Sequence, residues 1–242
     1  MNNEKASTPS WQVYQRCVGA FVQQAFDSMD ITVQPNVWLY GKISGVKRQV
    51  DVLVDGRYSD SGEVSKRIIV DAKKRTSKID INDVESFEGM MRDCNATNGV
   101  LISTGGFTSG AIQRANEIIH LKVLSFEDAQ EYDWIYKPCL SKDCRNGFVL
   151  WDSHMLLPVS GYAWLICQTG ICDVCHHFHV WCQDCGTRFH VEDEQGCICY
   201  CGHEWYSVIQ ADDEDNDSIN WLILISEDEV PKPIVVNRKA IR

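Results

Sequence analysis

The stretch RIIVDAKKR (67–75) decides the fold class that this sequence predicts, together with RQVDVLV (48–54) just before it. Both are typical of short β-strands, because three consecutive β-branched residues lie in the first and valines alternate through the second. Asp51 lies in the middle of the valine-rich strand, and Asp71 and Lys73 lie at the end of the next one. A charged side chain within such a strand is costly unless it is paired or bound to a metal ion. These three residues are therefore the first candidates for a functional site.

The segments around these strands alternate between helical and extended patterns. Apolar residues from Val13 to Phe26 recur every three or four positions, which predicts an amphipathic helix, and a strand follows within 31–45. Further along, the sequence predicts a helix in INDVESFEGMMRDC (81–94), a buried strand in GVLISTGG (99–106), a helix in FTSGAIQRANEII (107–119) and a strand in LKVLSF (121–126). This alternation predicts an α/β fold in which helices flank a mixed central sheet.

The charge of the chain is unevenly distributed. The 242 residues carry a formal net charge of −11, yet the segment from Lys42 to Lys78 holds ten basic and five acidic residues. A basic segment in an acidic protein is typical of a surface that faces nucleic-acid phosphates; the alternative is a solvated strand edge. No apolar run reaches about 18 residues and the first ten residues are polar. We therefore expect neither a membrane span nor a secretory signal, and a cytoplasmic location.

Ten of the twelve cysteines fall between Cys139 and Cys201, where the alternation of helices and strands ends. In a reducing compartment such clustering indicates metal binding rather than disulfides. Zinc prefers a tetrahedron of four ligands, which two short turns with two cysteines each can supply. We therefore predict a first domain over 1–136 and two zinc ribbons over 137–180 and 181–242, the second with a C-terminal tail. The predicted ligands are Cys139, Cys144, Cys172 and Cys175 in the first ribbon, and Cys182, Cys185, Cys199 and Cys201 in the second.

Spacing alone leaves other ligand sets open. Cys172, Cys175, Cys182 and Cys185 are close enough in sequence to form one compact site. Cys197 competes with Cys199, and disulfides are the alternative to metal binding altogether. A histidine can also replace a cysteine, and the histidines of this region are His176, His177, His179, His190 and His203. An all-cysteine set indicates structural zinc, since a catalytic zinc keeps an open coordination position.

The two aspartates and the lysine form a set suited to phosphodiester hydrolysis. Asp71 and Lys73 are two positions apart on a strand and so point to the same face of the sheet, where Asp51 on a neighbouring strand can join them. Two facing carboxylates repel each other unless a divalent cation lies between them, and Mg²⁺ is usually held by one or two carboxylates, waters and phosphate oxygens. The lysine can orient the attacking water or stabilise charge on the phosphate. The alternative is an ordinary surface salt bridge.

Residues 11–126 resemble the Mrr-like branch of the PD-(D/E)xK nuclease superfamily, which implies a restriction-endonuclease-like mixed sheet. The segments that carry the resemblance are RQVDVLV with the first aspartate, IIVDAKKR as the (D/E)xK strand, INDVESFEGMMRD as the next helix, and GVLISTGGFTSGAIQRA as the closing strand and helix. By this resemblance, Asp51 and Asp71 bind Mg²⁺ together with the backbone carbonyl of Ala72. Lys73 then positions and polarises the water.

The resemblance also implies roles for two helical residues. Glu85 falls where relatives often have a glutamine, and Gln15 replaces a glutamate that relatives often carry on the first helix, which weakens any proposal of a second metal ion. We expect an Mg²⁺-dependent DNA endonuclease of restriction or antiphage defence, with structural Zn²⁺ and DNA as its partner, acting as a homodimer. The alternatives are a non-catalytic DNA- or protein-binding module with a nuclease fold, and an effector that cuts only with a protein partner of a defence complex.

Overall fold

The computed structural model describes residues 10–26, 31–57, 64–115, 117–132, 136–152, 155–158, 164–192, 195–212, 217–225 and 232–240. In its amino-terminal part the predicted order of helices and strands is confirmed, and a short helix α4 follows. The elements are α1 (Ser10–Ala25), β1 (Ile31–Tyr40), β2 (Lys47–Arg57), β3 (Val64–Lys73), α2 (Ile81–Asp93), β4 (Asn98–Ser103), α3 (Ser109–Arg114), β5 (Ile119–Val123) and α4 (Phe126–Gln130).

The first five strands form one mixed sheet in the order β1-β2-β3-β4-β5. β1, β2 and β3 are antiparallel neighbours, whereas β4 runs parallel to β3 and β5 runs parallel to β4. The parallel pairing requires crossover connections, which the helices α2 and α3 provide. The mixed sheet with its flanking helices confirms the predicted α/β fold class.

Helices cover both faces of this sheet, which explains why β2 and β3 are rich in β-branched residues. On one face, Val52 and Val70 are buried in a core with Tyr14 of α1. On the other face, Leu53 and Ile69 are buried in a core with apolar residues of α2 and α3. A strand that is buried on both faces has an almost continuous apolar sequence, and a polar residue within it therefore needs a specific partner.

The carboxyl-terminal part is built of short β-strands. One sheet contains β6 (Tyr136–Pro138), β7 (Phe148–Trp151), β8 (Met155–Pro158), β9 (Trp164–Cys172), β10 (Phe178–Cys182) and β11 (Arg188–Val191), and the other contains β12 (Gly196–Ile198), β13 (Glu204–Asp212), β14 (Asp217–Ile225) and β15 (Lys232–Ala240). In the first sheet β10 is hydrogen-bonded to β9 on one side and to β11 on the other. The predicted boundary between residues 180 and 181 falls inside β10, so strands from both predicted zinc ribbons share this sheet.

A single apolar core connects the two carboxyl-terminal sheets. It includes Leu165 and Val180 of the first sheet together with Trp205 and Leu222 of the second, all of them inaccessible to solvent. Each cysteine-rich segment therefore adds only a few residues to a shared core, which is typical of modules that depend on metal for part of their folding free energy. Within the described ranges, none of the helices is long and apolar enough to cross a membrane.

Candidate active site and cysteine clusters

The antiparallel register of β2 and β3 brings Asp51 to Asp71. Val52 and Val70 are the last residues paired at this end of the two strands, and Asp51 and Asp71 are the next residues beyond them. Here the side chain of Asp51 provides the hydrogen-bond acceptor, since the backbone N–H of Ala72 donates to its Oδ2 at 2.8 Å. The two candidate metal-binding aspartates are therefore neighbours because of backbone geometry.

The carboxylate of Asp51 is hydrogen-bonded through both oxygens. Besides the bond from Ala72, Oδ1 accepts from Nε2 of Gln15 on α1 at 2.7 Å. Burial, reinforced by the negative charge of Asp71, raises the pKa of Asp51 to about 7. Two carboxylates in such a setting favour a cation between them, since the cation stabilises the ionised form of both.

Lys73 completes the group that sequence analysis selected. Its Nζ lies 2.8 Å from Oδ2 of Asp71, and the side chains are 40% and 14% exposed, respectively. The lysine is thus paired with the aspartate but remains accessible from outside. This exposure suits a positively charged side chain that contacts a bound substrate.

A cleft of about 540 Å³ adjoins Asp71 and Lys73. The rest of its lining comes from α2 and from the segment around the turn between β1 and β2. The lining residues are Ile43, Ser44, Arg48, Asp71, Lys73, Asp83, Ser86, Phe87, Gly89, Met90, Arg92 and Asp93. Arg48 belongs to the basic segment from Lys42 to Lys78, whereas the sequence assigned no specific role to Arg92. Together with Lys73, they add positive charge to a cavity that holds three aspartates.

The two helical residues implied by the resemblance have different surroundings. Gln15 is in contact with Asp51, and it therefore joins the acidic group. Glu85 lies on the exposed side of α2, where its Oε1 accepts from Nε of Arg114 at 3.1 Å. Its neighbour Ser86 lines the cleft instead. The structure brings Gln15 to the aspartates and places Glu85 against Arg114.

The structure also brings eight cysteines together in two groups of four, within each of which the sulfur atoms lie within 4.8 Å of one another. The groups are Cys139, Cys144, Cys172 and Cys175, and Cys182, Cys185, Cys199 and Cys201. In the first group, the sulfurs of Cys139 and Cys175 and those of Cys144 and Cys172 are each 3.7 Å apart. Four sulfurs around a tetrahedral zinc ion lie about 3.8 Å apart, given a zinc–sulfur bond of about 2.3 Å. The donor atoms of the first group therefore fit zinc.

Tight backbone turns hold these cysteines in place. Backbone N–H groups of His176 and Gly186 donate to the carbonyls of Cys172 and Cys182 at 3.1 and 2.9 Å. Both turn residues have a positive φ, 59° for His176 and 72° for Gly186, so the two Cys-x-x-Cys turns have the same shape. Gly147 has no space for a Cβ atom because the sulfur of Cys144 is only 2.5 Å from that position. The local backbone is thus shaped around the sulfur atoms.

The rival ligand sets are separated or otherwise bonded. The compact site of Cys172, Cys175, Cys182 and Cys185 does not form, since Cys172 and Cys182 belong to different groups. The sulfur of Cys197 donates to the carbonyl of His190 at 3.4 Å. Nε2 of His179 lies 3.4 Å from the sulfur of Cys139. None of the twelve cysteines, all of which lie in the described ranges, forms a disulfide.

The sheet of residues 31–123 thus carries two neighbouring aspartates and a lysine on adjacent strands. Residues 18–131 match the family model Mrr_cat, described as a restriction endonuclease. Residues 18–131 thus match the restriction endonuclease family that the sequence resemblance implied. No curated protein matches the chain.

Two solved structures are similar to about half of the chain. The MspJI restriction endonuclease in complex with a 27-mer oligonucleotide is 17% identical with a TM-score of 0.36, and the match covers 51% of this chain and 28% of that one. The DNA modification-dependent restriction endonuclease AspBHI is 15% identical with a TM-score of 0.34, and the match covers 52% of this chain and 35% of that one. This chain thus spans only about a third of their length, and these likenesses carry no argument about activity.

Proposed function

We propose that this protein is an Mg²⁺-dependent endonuclease that cuts DNA in restriction or antiphage defence. The observation that carries the proposal is the proximity of Asp51 to Asp71 just beyond the last paired residues of β2 and β3, with Lys73 bonded to Asp71 at the edge of an accessible cleft. The restriction endonuclease family of residues 18–131 supports DNA as the substrate and defence as the role.

The residues present fit Mg²⁺. Asp51 and Asp71 offer carboxylate oxygens close together, and burial together with the charge of Asp71 raises the pKa of Asp51, an effect that a bound cation would oppose. The backbone carbonyl of Ala72 belongs to the segment between Asp71 and Lys73 and would be the third ligand. When bound, Mg²⁺ neutralises charge on the scissile phosphate and lowers the pKa of a water molecule.

The protein side chains orient the reactants. Gln15 fixes the orientation of the Asp51 carboxylate through its hydrogen bond to Oδ1, as outer hydrogen bonds do for metal-binding carboxylates. Lys73 donates to the attacking water or to a phosphate oxygen, where its charge offsets the negative charge that develops during the reaction. Arg48 and Arg92 line the same cleft and attract the DNA backbone.

Two structural zinc ions complete the proposal. Each cysteine group provides four sulfur ligands and no open position, which is the donor set of a structural site. The zinc-bound segments would then support the domain that carries the cleft.

The test is a cleavage assay with the full chain. Wild type, Asp71→Ala and Asp128→Ala are incubated with supercoiled, linear, methylated and single-stranded DNA, with added Mg²⁺ or without it. Omission is preferred to chelation, since a chelator also removes zinc. We expect Mg²⁺-dependent cutting by wild type and by Asp128→Ala, which changes an exposed aspartate of α4, and no cutting by Asp71→Ala.

Two outcomes would contradict this proposal. Cutting by Asp71→Ala at the wild-type rate would remove Asp71 from the site. No cutting of any DNA by wild type would favour the alternatives, namely an effector that needs a protein partner or a non-catalytic binding module. Addition of candidate partner proteins from the same defence complex would separate these two, because only the effector then cuts.

A further inference from the structure

The turn between β1 and β2, residues 41–46, has a backbone fixed by its own hydrogen bonds. The N–H of Gly41 donates to the carbonyl of Val46 at 2.9 Å, and the N–H of Gly45 donates to the carbonyl of Gly41 at 2.8 Å. Gly45 has a φ of 68°, which glycine adopts without the strain that a side chain would cause. We call residues 41–46 the β1–β2 turn.

Asp93 anchors the β1–β2 turn to the end of α2. Its Oδ1 accepts from the backbone N–H groups of Ile43 and Ser44 at 3.1 and 2.9 Å. Its Oδ2 accepts from Oγ of Ser44 at 2.6 Å and from Nε of Arg48 at 2.7 Å. The carboxylate occupies the space that a Cβ atom of Gly41 would need. Hydrogen bonds to an ionised acceptor are strong, so the turn is held in one position.

This rigid turn presents apolar side chains to solvent. Ile43 is 78% exposed and Val46 is 56% exposed. The segment 42–48 contains three basic residues, Lys42, Lys47 and Arg48, and no acidic residue. Ile43 also lines the cleft that holds Asp71. An apolar tip flanked by cations thus lies at the edge of the candidate active site.

We propose that the β1–β2 turn is a wedge that enters a groove of duplex DNA beside the cleavage cleft. Ile43 presses against a base-pair step, and Lys42, Lys47 and Arg48 contact the phosphates around it. Apolar side chains inserted in this way partly unstack the bases and kink the duplex. The inference rests on the proposed function, because the shared cleft places the kink next to the phosphate to be cut.

Charge favours DNA over a protein as the occupant of this surface. The chain carries a net charge of −11, yet segment 42–48 has three basic residues and no acidic one. The carboxylate of Asp93 offsets one of these charges through Arg48, and the turn remains positive. Such a local reversal of charge is typical of a surface that neutralises phosphates. Rigidity also matters, since unstacking bases requires a firm support, and the bonds to Asp93 hold the backbone that carries Ile43 in place.

The test measures DNA unwinding and does not require a known recognition sequence. Relaxed circular plasmid is incubated with the full-length Asp71→Ala variant, which we expect not to cut, in buffer without Mg²⁺. A topoisomerase that needs no divalent cation is added, the protein is removed, and the linking number is read on a gel. Ile43→Ala in the same background is the test variant. Ile112→Ala is the matched control, because Ile112 is a 59% exposed isoleucine of α3 outside the cleft lining.

We expect the Asp71→Ala protein to lower the linking number as the amount bound increases. At equal amounts of bound protein, Ile43→Ala should lose half of this change or more, whereas Ile112→Ala should retain it. The wedge proposal would be wrong if Ile43→Ala changed the linking number as much as the Asp71→Ala protein does. It would also be wrong if the Asp71→Ala protein bound the plasmid without changing the linking number, and the turn would then be a surface for a protein. Failure to bind the plasmid would overturn the wedge proposal as well. Cleavage by wild type in the separate assay then decides the proposed function independently.

Discussion

Arg16 and Asp173 form a buried ion pair that joins the restriction endonuclease domain to the first cysteine group. Nε of Arg16 lies 2.6 Å from Oδ2 of Asp173, and the side chains are only 6% and 5% exposed. Arg16 is the neighbour of Gln15, which holds Asp51, and Asp173 is the neighbour of Cys172. One pair of charges therefore connects the helix that supports the candidate active site with a turn that carries a candidate zinc ligand.

Replacing Arg16 by methionine should destabilise the protein by about 3 kcal/mol, because Asp173 is left as a buried charge without its partner. The free energy of unfolding in urea is the measurement. Arg92→Met is the control: Arg92 pairs with Glu88 but is itself 71% exposed, and exposed pairs contribute at most about 1 kcal/mol. Equal losses in the two variants would mean that the Arg16 pair contributes no more than a surface contact.

Lys73→Ala should reduce kcat by about 100-fold or more while changing DNA affinity by less than about threefold, because we propose that Lys73 acts on the reacting groups. Single-turnover cleavage and anisotropy of labelled DNA measure the two quantities. Lys74→Ala is the matched control, since Nζ of Lys74 instead contacts Oγ of Ser10 at 3.0 Å. Equal losses of rate and affinity in Lys73→Ala would assign the lysine to phosphate binding alone.

Much of the fold and the central part of the candidate site could be predicted because they depend on local patterns. The alternation of apolar segments specifies the order of helices and strands. Asp51, Asp71 and Lys73 lie on strands that are adjacent in sequence and in the sheet, so their proximity requires only a hairpin. The cysteines are likewise paired by short turns whose spacing is visible in the sequence.

Features that depend on long-range packing could not be predicted. The Arg16–Asp173 pair joins residues 157 positions apart, and no motif marks either of them. Asp93 bonds to the β1–β2 turn, which is distant from it in sequence. An aspartate at the end of a helix has no distinctive sequence pattern. The orientation of Glu85 toward Arg114 depends on how α2 rotates against α3. Rotation of a helix by one position is decided by core packing, to which an exposed residue contributes little.

Metal analysis should find two zinc ions per chain, and Cys199→Ser should reduce this to one. The reason is that Cys199 belongs to the second group of four sulfurs. Cys197→Ser is the control, because the sulfur of Cys197 donates to the carbonyl of His190 and lies outside both groups. Mass spectrometry of the native protein measures the stoichiometry. Loss of a zinc ion in Cys197→Ser with retention in Cys199→Ser would exchange the roles of the two cysteines.

Stability in acid should depend on Asp93. Hydrogen bonds from Ser44, with a further bond from Arg48, hold the pKa of Asp93 well below its usual value. A carboxyl group with a lowered folded-state pKa stabilises the protein above its unfolded pKa of about 4, and this stabilisation is lost as the pH falls through the folded pKa. Asp93→Asn should therefore unfold more easily at pH 7, by about 2 kcal/mol.

The same variant should lose less stability than wild type on acidification below about pH 4, since asparagine has no proton to take up. Urea unfolding from pH 7 to pH 3 measures the free energy of both proteins, and the difference between them removes the contribution of other titrating groups, the cysteines included. Asp128→Asn on the surface of α4 should keep the wild-type pH dependence. If the free energy of unfolding declined in parallel for wild type and Asp93→Asn, Asp93 would anchor the β1–β2 turn without depending on its charge. The amide would then support the turn equally well at every pH.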